Sequence, residues 1–264
     1  MAQSHLNKLA LQLRDLHVPG RPLILANVYD AATALTVASL PNAKAIATAS
    51  FAVAAAEGFK DEDLTREQNV AAARKIALVV SPRNLPVTVD IQDGYDDVQQ
   101  TIRDVIGVGA VGCNLEDSNA KMGTVRPLSE AVERIRLAMD AAREAGVPNF
   151  VINARTDVIN KDFKGKSASV VDEAIERGKA YLAAGAWTVF VFGRPKGLGI
   201  SRLEIERLVG AFEGMISVNV RINPDALSVS DLAMLGVARV SVGPQLYWIA
   251  MKAFQNAAEG LLQG

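Results

Sequence analysis

Eight times along the 264 residues a short run rich in Val and Ile gives way to a longer stretch with helical spacing. This alternation constrains the fold more than any other feature of the chain. The strand-like runs cover 23–29, 45–50, 85–92, 111–117, 150–157, 187–193, 216–222 and 237–243, and each has strand length and β-branched composition. Helical patterns follow at 31–40, 66–80, 98–108, 129–145, 170–184, 202–212, 229–235 and 246–262. Gly109, Gly146, Gly185 and Gly236 sit where a helix hands over to the next strand, and Ser129, Ser201 and Ser228 stand where a helix can be capped. Strands that alternate with helices pair in parallel through right-handed crossovers, and eight such units close a barrel. The expectation is an α/β chain forming a single (β/α)8 TIM-barrel domain over 1–264. An open doubly wound sheet would need a glycine turn after the first strand, where the chain has Ala26, Asn27, Val28, Tyr29 and Asp30.

Composition narrows the function. A formal net charge of -1 offers no basic field for nucleic acid or an anionic membrane, so neither is expected as a partner. No run approaches the ~18 apolar residues of a membrane span. Leu6, Leu9, Leu13 and Leu16 recur as on one face of a helix, and His5, Lys8, Arg14 and Asp15 break up any secretory leader. The single cysteine, Cys113, excludes an intrachain disulfide and suits a cytoplasmic protein. His5 and His17, the only histidines, precede the first strand, which argues against a His-rich zinc site or a Ser-His-Asp triad.

Alternation along each strand sorts polar from apolar residues. Thr88, Asp90 and Gln92 face the interior on the third strand, with Val87, Val89 and Ile91 towards the helices. On the fourth, Gly112, Asn114 and Glu116 face inward and Val111, Cys113 and Leu115 outward. Asn153 and Arg155 on the fifth strand, and Ser217, Asn219 and Arg221 on the seventh, also face inward, with Val218, Val220 and Ile222 outward. The polar residues gather at the C-terminal strand ends, the catalytic end of such barrels. Asp90 and Glu116 would share a cavity, and a divalent cation relieves two adjacent carboxylates; oxygen donors suit Mg2+, with Mn2+ as the alternative. Arg155 presents a planar fork matched to a substrate carboxylate. The competing reading is a buried structural ion network with no ligand.

With these residues identified, the chain resembles the isocitrate lyase/phosphoenolpyruvate mutase superfamily, and among its members the short phosphoenolpyruvate-mutase-like and carboxyphosphonoenolpyruvate phosphonomutase-like ones. The likeness is carried in order by Ala26 to Ala31, Ile46 to Ser50, Gly58 to Asp61, Val89 to Tyr95, Asn114 to Ser118, Ile152 to Asp157 and Val240 to Pro244. It implies a (β/α)8 barrel whose last helix swaps between subunits of a homodimer or homotetramer. It also implies Mg2+ and a small 2-oxo acid or dicarboxylate substrate. By resemblance Asp90 and Glu116 are metal-site carboxylates, with Gln92 where the family carries a second acid. Arg155 becomes the carboxylate clamp, Ser50 with Phe51 beside it meets the substrate through backbone N–H groups, and Asp61 is the aspartate of the loop after strand two.

The loop after strand four, Asn119 to Pro127, has neither the Cys and His run of the lyases nor the asparagine-bearing gate of the phosphonate mutases. Both of those activities are therefore disfavoured. The expected activity is a Mg2+-dependent lyase, decarboxylase or hydrolase on an oxaloacetate-like 2-oxo or 2-hydroxy dicarboxylate, passing through an enolate. Lys121 or Tyr95 is placed to supply a proton, and Asn219 and Arg221 to contact substrate. Two alternatives stand beside this reading: an aldol-type lyase or synthase on the same scaffold, and a non-catalytic paralogue that binds a small acid.

Overall fold

The computed structural model describes residues 4–119, 122–161, 169–195, 199–222 and 226–263. Its main sheet is parallel and nearly closed into a barrel. We label the strands β1 (Leu23–Leu25, resuming after Ala26 as Asn27–Val28), β2 (Ile46–Thr48), β3 (Val87–Asp90), β4 (Gly112–Glu116), β5 (Val151–Thr156), β6 (Thr188–Val191), β7 (Ile216–Asn219) and β8 (Arg239–Ser241). Every strand pairs with its sequence neighbour. The two halves of β1 divide the closure: Leu23–Leu25 pairs with β8 and Asn27–Val28 with β2.

The helices are α1 (His5–Asp15), α2 (Ala31–Ala38), α3 (Ser50–Ala56), α4 (Arg66–Val80), α5 (Val98–Gly107), α6 (Leu128–Glu144), α7 (Val158–Lys161), α8 (Ser169–Ala183), α9 (Arg202–Ala211), α10 (Val229–Met234) and α11 (Gln245–Leu262). The expected handover glycines all take positive φ. Ser201 and Ser228 close capping boxes at α9 and α10. Ser129 does not cap: α6 begins one residue earlier, at Leu128, with Pro127 in the cap position. Pro127 fixes its own φ in a range compatible with helix entry, so the helix starts without a side-chain cap.

Most strands end before their apolar runs do. Residues 91–92 lie beyond β3, where Gln92 turns to φ 52, and residues 220–222 lie beyond β7. Ile222, expected against the helices, is consequently 51% exposed. Ser50, read as the end of a strand, is instead the first residue of α3, which joins α7 as a helix that periodicity did not reveal. Both are short and lie where a β-strand hands over, so neither builds a readable 3.6-residue period.

Side chains inside the barrel are largely polar and are linked by hydrogen bonds, while Thr88 Oγ1 and the Arg239 Nε and Nη1 find no hydrogen-bond partner among the described residues. Asn153 donates to Asn114 Oδ1 at 2.8 Å and accepts from Thr188 Oγ1 at 2.7 Å. Arg239, 1% exposed, donates through Nη2 to the same Asn114 oxygen at 3.1 Å. Helix α1 closes the N-terminal end. Leu13 reaches the floor because Gly112 has no side chain; a Cβ there would stand 2.8 Å from the Val151 carbonyl oxygen and 3.0 Å from Leu13 Cδ2. Outside the strands, Val87, Val89, Ile91, Val111, Cys113 and Leu115 are buried against the helices, as their alternation predicts.

Candidate active site

The C-terminal ends of β2 to β6 bring four carboxyl groups and one guanidinium together. Asp90 ends β3. Its Oδ2 accepts the Ser50 backbone N–H at 3.1 Å, available because Ser50 opens a helix and has no intrahelical acceptor for that group. The Asp90 backbone is held as well: its N–H donates to Thr48 Oγ1 at 2.9 Å, and its carbonyl accepts from Asn69 Nδ2 at 2.8 Å. Asp61 begins a single 3-10 turn after α3 and lies beside the same group. Gln92 Nε2 donates to the Asp61 carbonyl at 2.7 Å and to its Oδ1 at 2.9 Å. Burial, and then the negative charge of Asp90, raise the Asp61 carboxyl above the ordinary carboxylate range; Ser50, Gln92 and Arg155 draw it back.

Arg155, on β5, is gripped on two sides. Its Nε and Nη2 donate to Asp157 at 2.6 and 2.9 Å, and its Nη1 lies 2.8 Å from Glu116 Oε2. Burial works against the guanidinium charge, but Asp157 and Glu116 outweigh it and hold the pKa above its usual value. One face of the fork stacks on an aromatic ring, with the Arg155 Cζ 3.9 Å from the Phe192 centroid and 5.9 Å from that of Phe190. Glu116 is pushed up to about 8, by burial first and by the acids Asp157, Asp90 and Asp93, with Arg155 opposing. One guanidinium is shared between two acids there, and other carboxyls stand nearby.

Among the described residues, Asp61, Asp90, Glu116 and Asp157 thus gather around Arg155, with the buried Arg239 within electrostatic reach of Asp90. Such a set is short of positive charge, and its donors are oxygens. Both features fit a hard divalent cation, with Asp90 and Glu116 as the anionic ligands. Among the described residues no three His, Cys, Asp or Glu side chains form a ready-made metal group. Gln92 accounts for part of this: its amide nitrogen is used on Asp61, and only its amide oxygen can serve a cation or a bound water.

Tyr95 stands at the edge of the cluster with φ 57, a left-handed conformation. Its Oη accepts from Asn69 Nδ2 at 2.9 Å, which orients the phenol. Burial lifts its pKa above the usual value, with the nearby acids adding to it, so the phenol keeps its proton. Arg134 Nη2 holds the turn from beneath by donating to the carbonyls of Asp93 and Tyr95. A cavity of about 610 Å³ opens here, lined by Gln92, Asp93, Tyr95, Asn119, Arg126 and Arg134 among others.

The remaining candidates lie further out. Asn219 accepts from Ser241 Oγ at 2.6 Å at the end of β7. Arg221 packs against Gly199, and no carboxylate pairs with it among the described residues. The Phe51 ring turns to α11 and meets Trp248 edge-on at 5.6 Å. Lys121 lies outside the described residues. Sequence reasoning passed over Asp157, Asn69 and Phe192 as site residues. Asp157 and Phe192 were open to discovery, since each shares the inward parity of a residue on its own strand, Arg155 and Thr188; nothing in the local sequence marks Asn69.

The sequence matches the family model for phosphoenolpyruvate phosphomutase over residues 13–262. A crystal structure from Burkholderia cenocepacia, described as a candidate phosphonomutase, is 39% identical, with a TM-score of 0.87 over 98% of this chain and 100% of that one. An uncharacterized protein of Mycobacterium tuberculosis is 31% identical across 96% of this chain and 90% of its own length. Oxaloacetate decarboxylase of Rhodopseudomonas palustris is 35% identical over a shorter stretch, 41% of this chain and 38% of that protein.

Proposed function

Because the chain belongs to the phosphoenolpyruvate phosphomutase family, within the isocitrate lyase/phosphoenolpyruvate mutase superfamily of lyases and mutases, we propose that it is a Mg2+-dependent lyase, decarboxylase or hydrolase of a small 2-oxo or 2-hydroxy dicarboxylate. The observation that carries this reading is the convergence of Asp61, Asp90, Glu116 and Asp157 on Arg155 at the C-terminal strand ends.

Arg155 binds the substrate carboxylate. Asp157 occupies the edge formed by Nε and Nη2 and Glu116 lies against Nη1, which leaves one N–H on each of Nη1 and Nη2 for the incoming anion. Asp157 and Phe192 fix the plane of the fork and so orient the bond that breaks. Asp90 and Glu116 would hold the cation, which when bound supplies Lewis acidity to the 2-oxo or 2-hydroxy oxygen. Tyr95 keeps its proton and has its oxygen aimed by Asn69, so its O–H is available to the carbanionic carbon or its enolate form. Asn219 and Arg221 meet the distal carboxylate. Asp61 sits on the turn after α3, where its raised pKa suits proton exchange.

Helix α11 supports an oligomer. None of its 18 residues is buried, and it exposes Trp248, Ile249, Met251 and Phe254. A homodimer or homotetramer, with this helix seated on another copy, would cover that surface.

Calorimetry with oxalate tests the proposal. Heat is expected when Mg2+ and oxalate are both present, and loss of both heat and 2-oxo acid turnover after chelation. Equal oxalate uptake in excess chelator would remove the metal from the reading. No uptake under any condition would remove the site.

A further inference from the structure

Behind the clamp, on the side of the strands that the helices cover, lies a carboxylate with no part in the site described so far. Asp117, the first residue past β4, has the opposite parity to Glu116 and is 3% exposed. Four donors converge on it. The Asp157 backbone N–H donates to Oδ1 at 2.9 Å. Thr156 Oγ1 and Tyr181 Oη donate to Oδ2, each at 2.7 Å, and Arg177 Nη1 reaches the same oxygen at 3.4 Å. Arg177 and Tyr181 lie one turn apart on α8. That helix therefore fastens Oδ2, while Oδ1 takes the N–H of the residue that holds Arg155.

Asp117 grips the backbone too. Its N–H donates to the Arg155 carbonyl at 3.0 Å, and its carbonyl accepts the Arg126 N–H at 2.8 Å. Arg155, Thr156 and Asp157 are thus each bonded to Asp117, the first through a carbonyl, the second through a hydroxyl and the third through an amide. Three consecutive residues tied to one buried group have their peptide planes set by it. Those planes fix the direction in which the Asp157 side chain leaves the chain, and Asp157 in turn fixes the plane of the Arg155 fork. An ionised carboxylate suits this place, because it is acceptor-only and every group around it donates.

We propose that Asp117 is the positioning residue of the clamp. Through Oδ1 it aims Asp157, and through Asp157 it aims the Arg155 guanidinium at the substrate carboxylate. It touches no substrate itself. A tilt of the fork is costly, because a bidentate contact needs both N–H groups in line with their acceptors. This inference rests on the proposed role of Arg155 as the carboxylate anchor.

The test separates aim from stability: oxalate calorimetry at saturating Mg2+, with thermal unfolding of the same samples. Asp117→Ala should melt earlier and, at temperatures where it is folded, bind oxalate about tenfold more weakly. Asp117→Leu combined with Arg177→Met removes both charges of the buried pair, so part of the lost stability should return. The Asp157 N–H still lacks its acceptor there, and oxalate should stay about tenfold weak. Asp117→Asn keeps an oxygen for Asp157 and lets the Thr156 and Tyr181 hydroxyls accept from its amide, so oxalate affinity should lie within about twofold of wild type. Tyr181→Phe and Arg177→Met each loosen Oδ2 alone; Tm should fall, with oxalate affinity again within about twofold of wild type. Wild-type oxalate affinity in the double variant overturns the inference. So does a loss in Asp117→Asn or Tyr181→Phe as large as that in Asp117→Ala, for Asp117 would then act only through its charge or its packing. Arg155→Met, run alongside, tells two failures apart. Oxalate binding that survives it breaks the anchor reading and this inference with it. Binding that is lost in Arg155→Met but intact in the double variant breaks this inference alone.

Discussion

Removing Arg155 should cost the fold as well as the chemistry, and the size of that cost tests how the site is built. In Arg155→Met the Asp157 carboxylate, 4% exposed, loses both of its arginine bonds, and Glu116, at 13%, loses its one ion-pair partner among the described residues. Breaking a buried ion pair from one side costs about 3–5 kcal/mol, because the stranded acid has neither water nor a partner. For a chain of this length each kcal/mol lowers Tm by about 2–4 °C, so a fall of roughly 6–20 °C is expected. The double variant Glu116→Gln with Arg155→Met should recover part of the loss, since it removes one of the stranded acids, which loses its partner and must take up a proton. Arg155→Lys should stay closer to the wild type in stability yet lose at least a hundredfold in kcat/KM, because an ammonium cannot copy the fork. Thermal unfolding followed by circular dichroism, with turnover measured on the same samples, reads all three. A loss below about 1 kcal/mol in Arg155→Met, or no recovery in the double variant, would refute the account of one cation balancing a surplus of buried acid.

Three other predictions follow from separate parts of the structure. Gln92→Asp places an acid beside Asp61 in exchange for an amide donor; metal-free protein should melt earlier and Mg2+ should bind at least tenfold more tightly, about 1.4 kcal/mol by calorimetry, whereas unchanged affinity would show that position 92 lies out of reach of the cation. His17 is buried, and burial first, then the Arg239 charge, lowers its pKa from 6.5 to about 3. The unfolded chain therefore takes up this proton before the folded one does, and stability falls as pH drops from about 6.5 towards 3; His17→Gln should be spared about 2–3 kcal/mol of that loss at pH 4.5 in urea titrations, and an equal loss in both proteins would exclude His17 as the cause. On α11, Phe254 is 72% exposed, and Phe254→Lys should shift the sedimenting species towards monomer; an unchanged profile, or a monomeric wild type, would discard the oligomer proposal.

The barrel was legible because burial on both sides leaves a periodic mark. Val87, Val89 and Ile91 alternate with Thr88 and Asp90, and this parity alone pointed Asp90 and Glu116 towards the same end as Arg155. Parity stops being a guide where a strand stops. Gln92 reverses its backbone at φ 52, and its amide then reaches Asp61, which no count of alternating residues anticipates. Asn69 was invisible for a different reason. It is one polar residue on an otherwise ordinary helix, and its meaning comes from a carbonyl on β3 and a phenol beyond it. The use of Arg155 was only half legible: a fork for an anion could be foreseen, but not that Asp157, just past the end of β5, already holds one edge of it.

The polar filling of the barrel has consequences for how such a chain can change over time. Asn114, Asn153, Thr188 and Arg239 interlock through directional bonds, so an exchange at one position leaves a neighbour without its partner unless that neighbour changes too. Aliphatic layers can drift by single steps of size, but this interior can drift only by matched pairs. Innovation is thereby steered to the rim, where Arg221 and the segment following β4 can vary singly while the frame that aims Asp90 and Arg155 stays fixed.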